Sequence, residues 1–181
     1  VYGSNDFKDI TEFKANKDGM IDVQALSQHH NAEFVVASGQ NVPEEYLATG
    51  AASALFNVAK YYSEQYVNDD KLVFTAGAAS NGKPGNCGGK PCHSGHQGND
   101  IDLRYMDSNG QPIKGDSAYQ SADIGRTNFL VEVFKDNGRP VSYTGDDSRF
   151  GRPDDSPKSR DSTERVHRHH LHVGVSKPKK K

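Results

Sequence analysis

Hydrophobic residues recur along the chain with two different spacings. Between residues 44 and 66, apolar side chains return every three or four positions, which predicts an amphipathic helix with one buried stripe. Residues 121–136 show the same spacing, and Asn137 and Gly138 then provide a stop signal. The pattern therefore predicts two helices that each present one hydrophobic face to a core.

Other apolar runs have the composition or the alternation of strands. The predicted strands span residues 33–37, 71–76, 100–105, 141–144 and 169–175. In 100–105 and 169–175, polar and apolar positions alternate, so each strand would carry polar side chains on one face and a hydrophobic stripe on the other. Residues 77–91 and 145–164 are rich in glycine, proline and polar side chains and are predicted to be long loops.

The composition indicates one loop-rich domain. The chain has 181 residues, of which 33% are hydrophobic, 25% are charged and 18 are glycine, and its mean hydropathy is -0.83. Clear apolar segments argue against a disordered chain. We expect an α+β fold in which helices and long loops flank a small antiparallel sheet, with residues 1–175 forming a single domain and residues 176–181 a basic tail.

The charge balance excludes some partners. A net charge of -2 gives the chain no overall basic field that would attract nucleic acid. No stretch approaches the ~20 apolar residues that a membrane-spanning helix needs. We therefore expect neither a nucleic-acid partner nor membrane insertion.

Histidines are concentrated in two short segments. Six of the eight lie within residues 93–102 and 167–172. On a strand, His170 and His172 would point the same way about 6.6 Å apart, so they could bind one ion together or act as a ligand and a neighbouring acid or base. His96, one of the carboxylates Asp100 and Asp102, and one histidine of the last strand would provide three ligands and leave a fourth position for water. This arrangement predicts a metal-dependent hydrolase.

The two cysteines leave two states open. Cys87 and Cys92 are separated by Gly88-Gly89-Lys90-Pro91, which would let them close a small disulfide loop in an oxidising compartment, and free thiols are the alternative. A structural zinc site formed by these cysteines with His93 and His96 is disfavoured, because the spacing is cramped compared with usual paired ligands.

Both histidine segments also form a specific two-part motif. The motif reads Gly88-Gly89, His93-x-x-His96-Gln97-Gly98-x-Asp100-x-Asp102-Leu103-Arg104-Tyr105, and later His167-x-x-His170-Leu171-His172-Val173. In this order it resembles the penicillin-insensitive murein endopeptidases. These belong to the LAS group of metallopeptidases, with lysostaphin-type endopeptidases, D-alanyl-D-alanine carboxypeptidases and the hedgehog signalling domain. The resemblance covers roughly residues 72–175.

The resemblance implies a zinc site and an LAS or hedgehog-like fold in which a small antiparallel sheet carries that site. The implied zinc ligands are His96, Asp102 and His172. His170 would act as the catalytic imidazole beside the ion, and His93 and His167 would line the site and stabilise the oxyanion.

The implied activity is hydrolysis of peptide cross-links or stem peptides of bacterial peptidoglycan, as a DD- or LD-endopeptidase or carboxypeptidase. The substrate lies outside the cytoplasm, so a periplasmic or secreted location is expected. Because the chain begins with Val1, we expect a processed product or an excised domain. It would be a housekeeping wall enzyme or the toxin domain of a secreted effector, and a toxin would have an immunity protein as partner.

This chain departs from the family pattern in two places. The family usually separates its ligand histidine and aspartate by seven positions, whereas His96 and Asp102 are six apart. Asp100 is therefore an alternative ligand, and His93 with Asp100 is an alternative register. The second departure is His169, where the family often has aspartate.

Two other functions compete with a peptidase. A metal-dependent nuclease would surround its ion with cations that bind phosphates, and only Arg104, Arg165 and Arg168 lie near the motif. A catalytically silent metal-bound interaction domain is the other alternative, which the hedgehog resemblance permits.

Overall fold

The computed structural model describes residues 13–37, 45–87, 90–91, 97–115, 118–136, 141–144 and 169–175. In chain order, the described elements are β1 (Met20–Asp22), α1 (Val23–Ser27), β2 (Phe34–Val36), β3 (Tyr46–Ala48), α2 (Thr49–Gln65), β4 (Leu72–Ala76), β5 (Asn86–Cys87), β6 (Lys90–Pro91), β7 (Asp100–Leu103), α3 (Ala118–Ser121), α4 (Ile124–Asp136), β8 (Val141–Thr144) and β9 (Leu171–Val175). The α+β class is confirmed.

A five-stranded sheet forms the centre, in the order β2-β4-β7-β9-β8. Strands β2 and β4 are parallel, whereas the other neighbouring pairs are antiparallel. The predicted small antiparallel sheet is thus present in part, because the central sheet is mixed at one edge. There the chain passes from β2 to β4 through helix α2, and parallel neighbours require a crossover of this kind. Strands β1 and β3, and strands β5 and β6, form separate two-stranded antiparallel sheets.

The hydrophobic core lies between the central sheet and the two longer helices. Helix α2 contacts β7, β9 and α4, and helix α4 also contacts β8. The buried stripe of α2 includes Leu55, Val58 and Tyr62, which pack in one cluster with Ile101 and Val173 of the sheet. Each such apolar side chain contributes about 1.5–3 kcal/mol when fully buried. Burial thus fixes which face of β7 and β9 turns toward the helices.

Two predicted helix starts are too early. Helix α2 begins at Thr49 rather than at residue 44, because Leu47 pairs with Ile21 in the β1–β3 ladder. Helix α4 begins at Ile124 rather than at residue 121. The Asp123 side chain accepts a 2.8 Å hydrogen bond from the Arg126 backbone N–H, which is how an N-cap residue starts a helix.

The predicted strands are present, and β2, β4, β7 and β9 are each shorter than predicted. The predicted loop over 77–91 is wrong in part, since β5 and β6 pair within it. The loop predicted over 145–164 and the basic tail 176–181 lie outside the described residues. No described helix combines the length and hydrophobicity that crossing a bilayer requires.

A partly buried ion pair connects α4 to the loop after α2. Arg126 Nε and Nη2 donate hydrogen bonds of 2.6 and 2.9 Å to the two oxygens of Asp69, and the Tyr62 hydroxyl donates another of 2.6 Å. The hydrogen bonds from Arg126 are the main reason why the pKa of Asp69 is lowered, although burial opposes them. We call Tyr62, Asp69 and Arg126 the Asp69 centre.

Candidate metal centre

Strands β7 and β9 bring the two parts of the histidine motif together. Their antiparallel register pairs Asp102 with His172 and Asp100 with Gly174. Because side chains alternate along a strand, the buried hydrophobic neighbours Ile101 and Val173 turn toward the helices, and the polar residues turn to the other face.

Gly98 helps to position the start of β7. Its φ of 82° lies in the left-handed region, and a Cβ there would lie 2.6 Å from Met20 Cε. The Gly98 carbonyl accepts a 2.7 Å hydrogen bond from the Ala48 backbone N–H, and the Asn99 carbonyl accepts one of 2.7 Å from Val175. The glycine of the motif therefore anchors the chain between β3 and β9 just before the two carboxylates.

Three side chains on this face form one compact group. His172 Nδ1 lies 2.7 Å from Asp102 Oδ1, and His170 Nε2 lies 3.3 Å from Asp102 Oδ2. Asp102 and His170 are only 1% and 2% exposed, whereas His172 is partly buried. We call Asp102, His170 and His172 the Asp102 centre.

Asp100 adds a second carboxylate beside this group. Its Oδ1 lies 3.5 Å from His172 Nε2, and its Oδ2 accepts a 3.2 Å hydrogen bond from the Gln97 backbone N–H. Burial disfavours the charged imidazolium, but the hydrogen bonds with Asp100 and Asp102 prevail and raise the pKa of His172 to about 9. Two carboxylates around one imidazole make this position favourable for positive charge.

The Asp102 centre could hold a metal ion. One ligand atom from each of its three residues lies within 4.8 Å of the others. Ligands about 2.0–2.2 Å from a common tetrahedral ion lie about 3.4 Å apart, so small side-chain adjustments would bring these atoms to one ion. A buried carboxylate also requires a compensating charge or hydrogen bonds. One carboxylate and two imidazoles thus form a donor set that a divalent transition metal accepts.

The structure brings together three of the residues that the sequence singled out. Asp102 and His172, the expected ligands, are in direct contact, and His170, the expected catalytic imidazole, belongs to the same group. His93, His96 and His167 lie outside the described residues, so the contribution of each stays a prediction. The possible disulfide also stays a prediction, because Cys92 lies outside them too.

A pocket with a volume of about 150 Å³ opens beside the Asp102 centre. Asp102 and His170 form part of its wall, and Thr75, Arg104 and Lys114 form another part. Arg104 could have been expected here, since it continues the alternation of Asp100 and Asp102. Lys114 and Thr75 come from a turn and a neighbouring strand, and no local sequence signal marks them.

Comparisons with known proteins do not assign this site. No protein-family model matches the sequence, and no match was found among curated proteins or solved structures.

Proposed function

We propose that this chain is a zinc-dependent peptidase that hydrolyses peptide cross-links or stem peptides of bacterial peptidoglycan. The observation that carries the proposal is the contact of Asp102 with His170 and His172, about 70 positions further along the chain. The order of the two motif segments, and their resemblance to murein endopeptidases, supports the same activity. The central sheet is proposed to correspond to the zinc-bearing sheet of an LAS or hedgehog-like fold.

Asp102 is the preferred carboxylate ligand. It is buried and contacts both imidazoles, whereas Asp100 is less buried, lies 3.5 Å from His172 Nε2 and accepts a hydrogen bond from Gln97. With His172 as the second ligand, the resemblance supplies His96 as the third. His93 and His167 are proposed to line the site and stabilise the oxyanion.

His170 is proposed to be the imidazole that takes up and returns a proton during hydrolysis. Its contact with Asp102 holds the ring in one orientation, and its burial shields that contact from bulk water. When bound, a zinc ion supplies an activated water near neutral pH and polarises the carbonyl under attack. The chain would then contribute the proton acceptor and the orientation of the substrate.

Digestion of purified sacculi, analysed by mass spectrometry, tests this function. We expect new muropeptide products, their loss on adding a chelator, and their return with zinc. His172→Ala and Asp102→Ala should abolish the products, while His170→Ala should retain zinc but lose most hydrolysis. Unchanged activity in the His172 or Asp102 variant would contradict the proposal. Loss of zinc from the His170 variant would instead make His170 a ligand.

The substrate implies an extracytoplasmic site of action. We propose a periplasmic or secreted enzyme, with an immunity protein as partner if it is delivered as a toxin. Release of muropeptides when the chain is directed to the periplasm, but not when it is retained in the cytoplasm, would support this location.

A metal-dependent nuclease is the second candidate, because Arg104 and Lys114 line the pocket beside the Asp102 centre. Incubation with plasmid DNA and RNA in the presence of magnesium or zinc tests it. Cleavage of nucleic acid without release of muropeptides would replace the peptidase proposal. Stoichiometric zinc without any hydrolysis would favour a silent metal-bound domain.

A further inference from the structure

The pocket beside the Asp102 centre has a cationic side formed by Thr75, Arg104 and Lys114. We call these three residues the cationic side. The wall also contains Asp102 and His170, which belong to the candidate metal centre. A molecule in the pocket would therefore lie next to the reacting groups of the proposed peptidase.

The fold places Arg104 by extending the ladder of the central sheet. Its backbone N–H donates a 3.0 Å hydrogen bond to the Val73 carbonyl, directly after β7. Residues two apart on an extended chain share a face, so Arg104 follows Asp100 and Asp102 on the side that bears the candidate metal centre. The guanidinium thus originates on the same rigid strand as the proposed ligand.

Lys114 reaches the same pocket through a tight reversal of the chain. The Ile113 N–H donates a 2.9 Å hydrogen bond to the Tyr105 carbonyl, and Met106 forms an antiparallel bridge with Pro112. The Asp107 side chain closes the turn by accepting hydrogen bonds from the backbone N–H groups of residues 109 and 111. Lys114 is therefore held by ordered backbone, although its side chain is exposed.

Arg104 and Lys114 differ from several other cations of the described part of the chain in their ionic contacts. Lys60, Lys71, Arg126 and Lys135 each form an ion pair with a carboxylate. Within the described ranges, the Arg104 and Lys114 side chains form no ion pair. Two cations that line one pocket without such a partner favour an anionic ligand.

The volume of the pocket limits the size of that ligand. About 150 Å³ is smaller than the roughly 300–1,000 Å³ of sites that enclose a whole small molecule. It suffices for a carboxylate with its adjacent carbon atoms. The pocket therefore fits one substituent of a larger substrate.

We propose that the cationic side binds a carboxylate of the peptide substrate close to the bond that is cut. That the ligand belongs to a peptide rests on the proposed function. The preference for a carboxylate rests on the residues of the pocket itself. The fork of Arg104 matches the two oxygens of a carboxylate, Lys114 adds a second charge, and Thr75 offers a hydroxyl donor.

A phosphodiester backbone is the less suitable ligand for this pocket. Asp102 lies in its wall, and Asp100 lies beside the same centre, so successive phosphates would be repelled next to the two cations. A single carboxylate on an otherwise neutral peptide brings one negative charge instead of several, so it meets less of that repulsion. Its source would be the terminal carboxylate of the peptide or an acidic side chain.

Binding of small probes tests the inference without requiring hydrolysis. N-acetylalanine presents a terminal carboxylate, N-acetylaspartate α-amide presents a side-chain carboxylate, and N-acetylalaninamide is neutral. Titration of the full-length chain, followed through the backbone amide signal of Gly115 in ¹⁵N NMR spectra, gives an affinity for each probe. We expect at least one acid to bind and the neutral amide to bind at least about fivefold more weakly. The more tightly bound acid identifies the source of the carboxylate.

Substitutions distinguish the pocket from the metal centre. Arg104→Gln and Lys114→Gln should each weaken binding of the acid about five- to tenfold, and Lys60→Gln, an exposed lysine on α2, should leave it unchanged. A carboxylate bound only to an ion at the Asp102 centre would keep its affinity in both pocket variants, and that result would overturn the inference. Equal binding of the neutral amide would overturn it too, as would tighter binding of dimethyl phosphate than of either acid.

Kinetics with muropeptides separate failure of the pocket from failure of the proposed function. If wild-type protein cleaves muropeptides, Arg104→Gln should raise KM with little change in kcat, and amidation of the muropeptide carboxylates should have the same effect. Cleavage that is insensitive to both changes would overturn the carboxylate assignment and leave the peptidase standing. Selective binding of acids without any cleavage would support the pocket and count against the peptidase.

Discussion

The Asp69 centre and the Asp102 centre each bury a carboxylate, but they neutralise it differently. The Asp69 side chain is 6% exposed and receives two hydrogen bonds from the guanidinium of Arg126, whose charge is permanent. The Asp102 side chain is 2% exposed and contacts two imidazoles, which carry charge only when protonated. In the first centre the guanidinium balances the carboxylate permanently. In the second, neutral imidazoles leave the carboxylate charge unbalanced, so the three side chains could bind a cation.

The surroundings of the two centres differ in the same sense. Arg126 Nη1 also lies 3.6 Å from Asp123 Oδ2, and Arg126 Cζ lies 4.8 Å from the centroid of the Tyr66 ring. The guanidinium therefore interacts with several neighbours within the fold. The Asp102 centre opens instead onto a pocket that reaches solvent. The comparison shows that two carboxylates with similar burial can have different partners, and only the one with imidazole partners belongs to a group that could hold a metal ion.

The largest effect is expected from removing the cation of the Asp69 centre. Arg126→Met would remove the charge partner and both guanidinium hydrogen bonds of the Asp69 carboxylate, which should cost about 3 kcal/mol in the free energy of unfolding. Urea denaturation followed by circular dichroism measures this loss. Lys135→Met, on the same helix in an exposed pair with Glu132, should change stability by less than about 0.5 kcal/mol. An equally small loss of stability for Arg126→Met would contradict a structural role of the Asp69 centre.

The next effect concerns zinc affinity at the Asp102 centre. Asp102→Asn should weaken zinc binding at least about 100-fold, which corresponds to about 2.7 kcal/mol, because an uncharged amide replaces a charged ligand. Competition with a chromophoric chelator measures the affinity. Asp100→Asn is the matched control on the same strand and should weaken binding less than about tenfold. The opposite order would assign the ligand to Asp100 and contradict our preference.

A pair of glycine substitutions tests how tightly the Asp69 centre is packed. Gly110 and Gly19 have φ values of 76° and 78°, but a Cβ at Gly110 would lie 2.1 Å from Asp69 Oδ1, whereas nothing lies within 4 Å of one at Gly19. Gly19→Ala should cost about 1 kcal/mol for the left-handed backbone, and Gly110→Ala about 2–3 kcal/mol because Asp69 must also move. Thermal unfolding of both variants measures the difference. Equal losses of stability would mean that the Asp69 side chain can move away from the new Cβ at no cost.

The smallest effect is a dependence of stability on acid pH. The pKa of Asp69 is lowered in the folded chain, so its ionised form stabilises the fold at any pH above the unfolded value of 3.8. That contribution is lost as the pH falls below 3.8 and through the lower folded pKa. The difference in unfolding free energy between wild type and Asp69→Asn should therefore stay constant above about pH 5 and shrink in stronger acid. A constant difference across the whole range would contradict the lowered pKa.

Sequence reasoning predicted the Asp102 centre better than the Asp69 centre. The alternation in 100–105 and 169–175 fixed which side chains share a face, and the resemblance related Asp102 to His172 across 70 positions. Asp69 and Arg126 are 57 positions apart, in a loop and a helix, and neither segment has a pattern that pairs them. A contact between elements of different type depends on the packing angle of α4, which local periodicity does not encode.

The fold beyond the motif was predicted in part for a similar reason. Strand alternation and helix spacing are local, so β4, β7, α2 and α4 were found with small errors at their ends. The short elements β1 and β3 were missed, because Met20–Asp22 and Tyr46–Ala48 become strands only by pairing with each other. The same pairing explains why the start of α2 was predicted too early.

The register between β7 and β9 links the chemistry to the hydrophobic core. A slip of one residue in β9 would reverse its two faces, exposing Leu171 and Val173 and burying His172 among apolar side chains. The slipped register would thus be disfavoured, because it would desolvate the polar imidazole of His172 and expose apolar side chains to water. The register that buries the hydrophobic side chains of β9 is therefore also the one that places His172 beside Asp102.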